Sequence, residues 1–216
     1  MLAVRSGSEA VRMMVRSHRL EGDFKEVIRN HEDRGPEAYP FHLSVREFVA
    51  FPVDFELRAF VYDCRLTALS QYNNFVLSPG INRFHEAMLT SAREFVEGEV
   101  IPRMSARPNP GMDSYVLDLA LDPLPGGAGF KVYVVEVNPM AELAGAACFK
   151  WSQDKAVLLG LDAFEFRFNT QVPPFHGVNP AQQKFMEDVV EYGPAAAGTH
   201  RAWDKFRAAP RRAAAS

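Results

Sequence analysis

The sequence predicts an α+β protein built on a mainly antiparallel sheet with flanking helices. Three observations lead there. Apolar residues recur with a helical period near the N-terminus and again over residues 83–101. Between and beyond those stretches the period changes to two, in segments that read as strands and hairpins. Fifteen prolines and fourteen glycines supply many turns and argue against one long helical bundle.

Each element has a local reason. Ser6-Gly7-Ser8-Glu9 reads as a capping box, in which a hydroxyl satisfies a free N–H and the glutamate reaches back. A helix follows with Val11, Met14, Val15 and His18 on one stripe, then a short helix over 23–30 buried through Phe24, Val27 and Ile28. Arg34-Gly35-Pro36 breaks the pattern. Residues 43–49 look like a strand ended by Pro52, and 55–62 with 65–72 look like a hairpin turned at Asp63-Cys64. A two-residue loop sets Tyr62 against Arg65, Arg58 against Leu69 and Glu56 against Gln71. Residues 83–101 form the clearest helix, which Pro102 is expected to stop. Strands at 114–121 and 130–138 follow, joined by a Pro/Gly-rich surface loop that lacks the Lys-Ser/Thr and the helix of a P-loop.

Composition narrows the class. A chain of 216 residues has room for one substantial domain or two small lobes. It can bury about 70% of its unfolded surface without a disulfide or metal staple. The net charge of −3 makes no general case for nucleic-acid binding. It is unevenly spread, because residues 193–216 carry +4 and the rest −7. The two cysteines, Cys64 and Cys148, have no metal-ligand spacing, and no histidines stand at i,i+4. There is no apolar run of membrane-spanning length and no signal-peptide core, so the expected setting is reducing and cytoplasmic.

The chemistry lies on the last two strands. In Val116-Leu-Asp118-Leu an apolar run is interrupted by one acid, and in Val135-Glu136-Val-Asn138-Pro139 by an acid and an amide two residues apart. Period two places Glu136 and Asn138 on one face, and Asp118 joins them if it opposes Val132 or Val134. Carboxylates inside apolar strands carry a desolvation cost that a hard, oxygen-loving Mg2+ would offset. The alternative is an edge strand whose polar side chains merely face water. Alternation also groups Glu56, Arg58 and Gln71. There Arg58 could hold a phosphate oxygen, or simply pair with Glu56.

Arg46-Glu47-Phe48-Val49, Asp54-Phe-Glu56-Leu-Arg58-Ala-Phe60, Leu66-Thr-Ala-Leu-Ser70-Gln71-Tyr72, Asp118 and Glu136-Val-Asn138-Pro139 occur in that order. The chain thereby resembles the cell division cycle protein 123 family and its relatives among atypical ATP-grasp proteins. Ser17–Asp23 and Ala141–Gly160, with Cys148-Phe-Lys-Trp151 and Asp154, fit the same pattern, so the resemblance covers about residues 8–168. It implies an ATP-grasp-like fold with ATP and Mg2+ as cofactors. Arg46, Glu47, Phe48 and Val49 would form a hinge strand touching adenine and ribose. Arg58 would contact phosphates, and Asp118, Glu136 and Asn138 would bind the magnesium.

The resemblance also implies a helical N-terminal remnant over 1–40 and an ATP-grasp C-terminal lobe over 41–170; composition adds an irregular extension over 171–192 and an Ala/Arg-rich tail over 193–216 that is disordered or a loose helix. No lysine precedes Lys25, so the lysine strand of a full N-terminal lobe is missing, as in a fragment or a reduced nucleotide site. Cys64 stands where relatives carry a glycine-type turn, and Met140 where a bulkier aromatic is usual. The function implied is support of translation initiation factor 2 assembly, with a subunit of that factor as partner and neither nucleic acid nor membrane involved. A carboxylate–amine ligase forming an acyl-phosphate and a fragment that only binds a protein are the alternatives; no acceptor-substrate motif is visible.

Overall fold

The computed structural model describes residues 4–37, 44–49, 51, 55–106, 112–171 and 173, and it divides into two units, Met1–Val49 and Ala50–Ser216. The expected extension and tail beyond residue 170 lie outside the described residues, apart from Gln171 and Pro173.

The first unit holds two helices. In α1 (Gly7–Val15) the Ser6 hydroxyl accepts the Glu9 N–H at 3.2 Å, and the Glu9 carboxylate takes the N–H of Arg5 at 2.6 Å. The capping box is therefore present, with the glutamate reaching one residue further back than the usual pattern. The second helix, α2 (His18–Arg34), is longer than the predicted 23–30, because Ser17 caps it through Leu20 N–H and Gly35, at φ 84°, ends it. Phe24 and Val27 are half-buried, but Ile28 is exposed, as are Val11 and Val15. The strand predicted over 43–49 is not formed: residues 44–49 belong to no helix or strand, and Leu43 is outside the described residues. Period two alone does not make a strand, which also needs an edge to pair with, and the apolar Val45 and Phe48 stay exposed.

The second unit is a five-stranded sheet in the order β4-β3-β1-β2-β5. Its strands are β1 (Glu56–Tyr62), β2 (Arg65–Gln71), β3 (Tyr115–Pro123), β4 (Phe130–Pro139) and β5 (Glu165–Arg167). Every pairing is antiparallel except β2 with β5. The β1–β2 hairpin turns at Asp63-Cys64 as expected, and both residues take left-handed φ values of 50° and 55°. The register differs from the prediction beyond that point. Tyr62 faces Arg65 and Val61 faces Leu66, but a bulge leaves Thr67 unpaired, so Phe60 faces Ala68, Arg58 faces Ser70 and Leu57 faces Gln71. The Thr67 hydroxyl reaches the carbonyls of Leu158 at 2.7 Å and Phe60 at 3.1 Å.

One face of the sheet is apolar. Leu57, Ala59, Val61, Leu69, Leu117, Leu119 and Leu121 are buried there with Ile81, Met88 and Ala92 of α3 (Pro79–Phe95). Ser78 caps α3 through Ile81 N–H at 3.1 Å, so the helix starts one turn before the predicted Arg83. Pro102 does not stop it. A π turn at Val96–Val100 leads into α4 (Ile101–Ser105), where Pro102 falls in the first turn and needs no N–H partner. The other face is partly covered by the chain after β4. Phe60, Ala68 and Val116 pack there on Ala146, Phe149 and the buried side of α5 (Lys155–Leu158). The described helices include none long and apolar enough to cross a membrane.

At the start of α3 the fit is close. A Cβ on Gly80 would stand 2.2 Å from the ring of Phe55, which itself packs edge-on against Phe130 at 5.4 Å. Replacing Gly80 by alanine must displace that ring, and Gly80→Ala should unfold in urea with about 1–3 kcal/mol less stability. Combining it with Phe55→Leu should recover part of the loss.

Candidate functional site

The covered face of the sheet carries a row of polar side chains. Arg58 on β1 lies directly opposite Ser70 on one side and Asp118 on the other, and Asp118 lies opposite Glu136 on β4. Residues directly opposite one another share a face, so all four point the same way, flanked by Glu56 two residues before Arg58 and Asn138 two after Glu136. A second bulge makes this possible. Asp118 faces Glu136 whereas Leu119 faces Val134, leaving Val135 as the extra residue. The sequence expectation that Asp118 would oppose Val132 or Val134 is thus corrected. An unbroken strand would put Val132, Val134, Glu136 and Asn138 on one face; the bulge sends the valines to the core and the polar pair to the site.

Arg58 and Asp118 form the centre. The guanidinium Nε donates to Asp118 Oδ1 at 2.8 Å and Nη2 to Oδ2 at 2.9 Å, a bidentate pair. Only 8% of Arg58 and 5% of Asp118 is exposed. The third arm, Nη1, donates to the carbonyls of Ala144 and Gly145, the latter at 3.1 Å. Gly145 has φ 69°, and a Cβ there would lie 3.3 Å from Nη1, so this approach depends on the missing side chain. The ring of Tyr72 stands 4.9 Å from the guanidinium carbon. Asn138 Nδ2 donates to Asp118 Oδ2 at 3.3 Å, leaving its Oδ1 as the atom it could offer a cation.

Burial and close charges perturb the titration of this row. Burial, reinforced by the nearby charge of Asp118, pushes the Glu56 carboxyl up to about 7. Burial alone would lower Arg58, but its hydrogen bonds to Asp118 and that carboxylate's charge outweigh it and hold Arg58 above its ordinary value. Tyr72 is raised, first by burial and then by Asp118.

Of the residues expected from sequence, Arg58, Asp118, Glu136 and Asn138 come together. Arg46, Glu47 and Phe48 are exposed and Val49 half-buried, in the first unit and outside any strand. Gln71 leaves the polar group: the Thr67 bulge turns it to the other face, where it is buried and donates to the carbonyls of Asn73 and Val76. Arg58 pairs with Asp118, not with Glu56. Tyr72 and the carbonyls of Ala144 and Gly145 were missed, and no residue pattern marks a carbonyl as a guanidinium acceptor. The donor set fits a hard divalent ion chemically, with two carboxylates and an amide oxygen on one face. Among the described residues, no three His, Cys, Asp or Glu side chains cluster in a way that could hold a metal.

A family model described as D123 matches residues 6–191. The chain belongs to the D123 family. This bears out the likeness to the cell division cycle protein 123 family read from the motif order. Among its curated relatives, the translation initiation factor eIF2 assembly protein of Vanderwaltozyma polyspora is 26% identical over 141 residues, covering 63% of this chain and 34% of the relative. The protein of the same name from Candida albicans is 23% identical over 134 residues, covering 61% and 35%. The D123 chain thus matches about a third of the length of these relatives. Among solved structures, Cdc123 from Schizosaccharomyces pombe superposes with a TM-score of 0.53 at 13% identity, covering 79% of this chain and 63% of the other. A C-terminally truncated form of it gives 0.54 at 14% identity with the same coverage. These likenesses establish the fold as α+β and ATP-grasp-like.

Two outcomes test this geometry. Arg58→Ala strands a buried carboxylate and should cost about 3–5 kcal/mol in urea unfolding, whereas Arg58→Met combined with Asp118→Leu should be close to neutral. The second concerns pH. Glu56 binds its proton more tightly folded than unfolded, so its favourable contribution is complete below the ordinary value of 4.5 and lost as pH rises through about 7. Glu56→Gln should match wild type near pH 4.5 and exceed it at pH 8 by roughly 2–3 kcal/mol.

Proposed function

We propose that this chain binds ATP together with Mg2+ on the polar face of the sheet and acts in the cytoplasm in assembling translation initiation factor 2. The observation that carries the proposal is the convergence of Arg58, Asp118, Glu136 and Asn138 across β1, β3 and β4. In this reading Asp118, Glu136 and Asn138 would hold Mg2+, and Arg58 would meet the phosphates with its planar fork of donors. When bound, the ion neutralises charge on the phosphate oxygens. The names of the two yeast relatives support the assembly role, with a subunit of the initiation factor as the partner.

The second reading is a module that binds a protein partner without nucleotide. It is favoured by one observation: Arg58 and Asp118 already satisfy each other.

Calorimetry with Mg2+ and ATP separates the two. Glu136 is exposed and carries no share of the buried pair, so Glu136→Ala should fold normally and bind Mg·ATP at least about tenfold more weakly than wild type. Absence of Mg·ATP binding in wild-type protein would leave the protein-binding reading. Retention of an individually purified initiation factor 2 subunit by the immobilised chain tests the partner, and ADP release that requires a small amine or carboxylate would point instead to a ligase.

A further inference from the structure

We infer that Arg58 is a built-in counter-cation for Asp118, so that the site takes a divalent ion only as a metal–polyphosphate complex and not as the free ion. The inference rests on the ATP- and Mg2+-binding reading above and concerns which form of the metal the site accepts.

Asp118 is the buried carboxylate of the row, whereas Glu136 is exposed and Glu56 half-buried. Both of its oxygens accept from one guanidinium, at 2.8 and 2.9 Å. A free Mg2+ approaching Asp118 therefore meets a fixed positive charge on the same two oxygens. A lysine could yield by losing its proton, but a guanidinium cannot, so Arg58 must move or stay as a repelling neighbour. Its movement is opposed by the carbonyls of Ala144 and Gly145 on Nη1 and by the ring of Tyr72.

A polyphosphate changes the balance. Its oxygens present the same geometry that the guanidinium now finds in Asp118, so Arg58 can exchange a carboxylate for a phosphate without losing paired donors. Asp118 then has oxygens to offer the metal, which arrives with its charge already partly neutralised. Metal and phosphate each make room for the other, which is positive coupling between two ligands of one site.

The test titrates MgCl2 without nucleotide into wild type, Arg58→Gln and Arg58→Lys, followed by calorimetry and by the thermal midpoint, and then Mg·ATP into wild type. Wild type should show no response to millimolar free Mg2+. Arg58→Gln should bind it at least about tenfold more tightly and melt higher as MgCl2 is added. Arg58→Lys keeps a charge that can leave with a proton, so it should respond more weakly than Arg58→Gln and no less than wild type. Free Mg2+ binding to wild type as tightly as to Arg58→Gln overturns the inference, as does a folded Arg58→Gln that ignores Mg2+. Should Arg58→Gln not fold, wild type decides: binding of Mg·ATP without binding of free Mg2+ supports the inference, and binding of free Mg2+ refutes it. Wild type that binds no Mg·ATP removes the nucleotide reading, while a Mg2+ response in Arg58→Gln would still uphold the counter-cation.

Discussion

The bidentate contact between Arg58 and Asp118 joins the central strand β1 to its neighbour β3 and, through Nη1, fastens the chain after β4 over one face of the sheet. Its net stabilisation is small, because removing two charges from water costs about as much as their attraction returns. Its structural authority comes from the penalty of breaking it. With one partner gone, the other is left charged among Phe60, Val116 and the backbone of residues 144 and 145. Gly145 suits this contact, since a Cβ there would crowd the guanidinium at 3.3 Å and its φ of 69° favours glycine. Tyr72, Asn138 and Glu56 arrange themselves around a charge distribution that this pair defines.

The sheet divides its labour between faces. On the α3 side, leucines from β1, β2 and β3 make an apolar layer in which shape decides the fit, as the contact between Gly80 and the Phe55 ring illustrates. On the other side, aromatic packing of Phe60 on Phe149 and Trp151, at 5.8 and 6.0 Å, closes one end and leaves the polar row at the other. A half-buried Glu56 is a liability to a structure that needs only stability. It is tolerable where a site benefits from a carboxyl that can exist in either protonation state near neutral pH.

Much of this was legible in the sequence because a polar residue in an apolar strand is conspicuous. Asp118, Glu136 and Asn138 stood out for that reason, and the turn residues Asp63 and Cys64 fixed one hairpin. The failures share a cause: period two counts residues and cannot see a bulge. Thr67 moved Gln71 off the polar face, and Val135 changed which residue Asp118 meets. Pro102 misled because its cost depends on where in a helical turn it falls, which a π turn can shift. The three-residue β5 did leave a trace, the alternation Phe164-Glu-Phe-Arg-Phe168, but so short a signal needs the edge of β2 to become a strand. The family likeness fared better than the geometry, because it depends on the order of motifs and not on their registration.

Val135 also decides where β4 can put its side chains. A strand that alternates without interruption sends all of its even-numbered residues to one face. β4 cannot do so. Its apolar residues at 130, 132 and 134 and its polar ones at 136 and 138 have opposite destinations, so a pairing without the extra residue buries Glu136 and Asn138 against α3 or leaves valines in water. The extra residue thus works as a switch of face, and one strand serves both the core and the polar row.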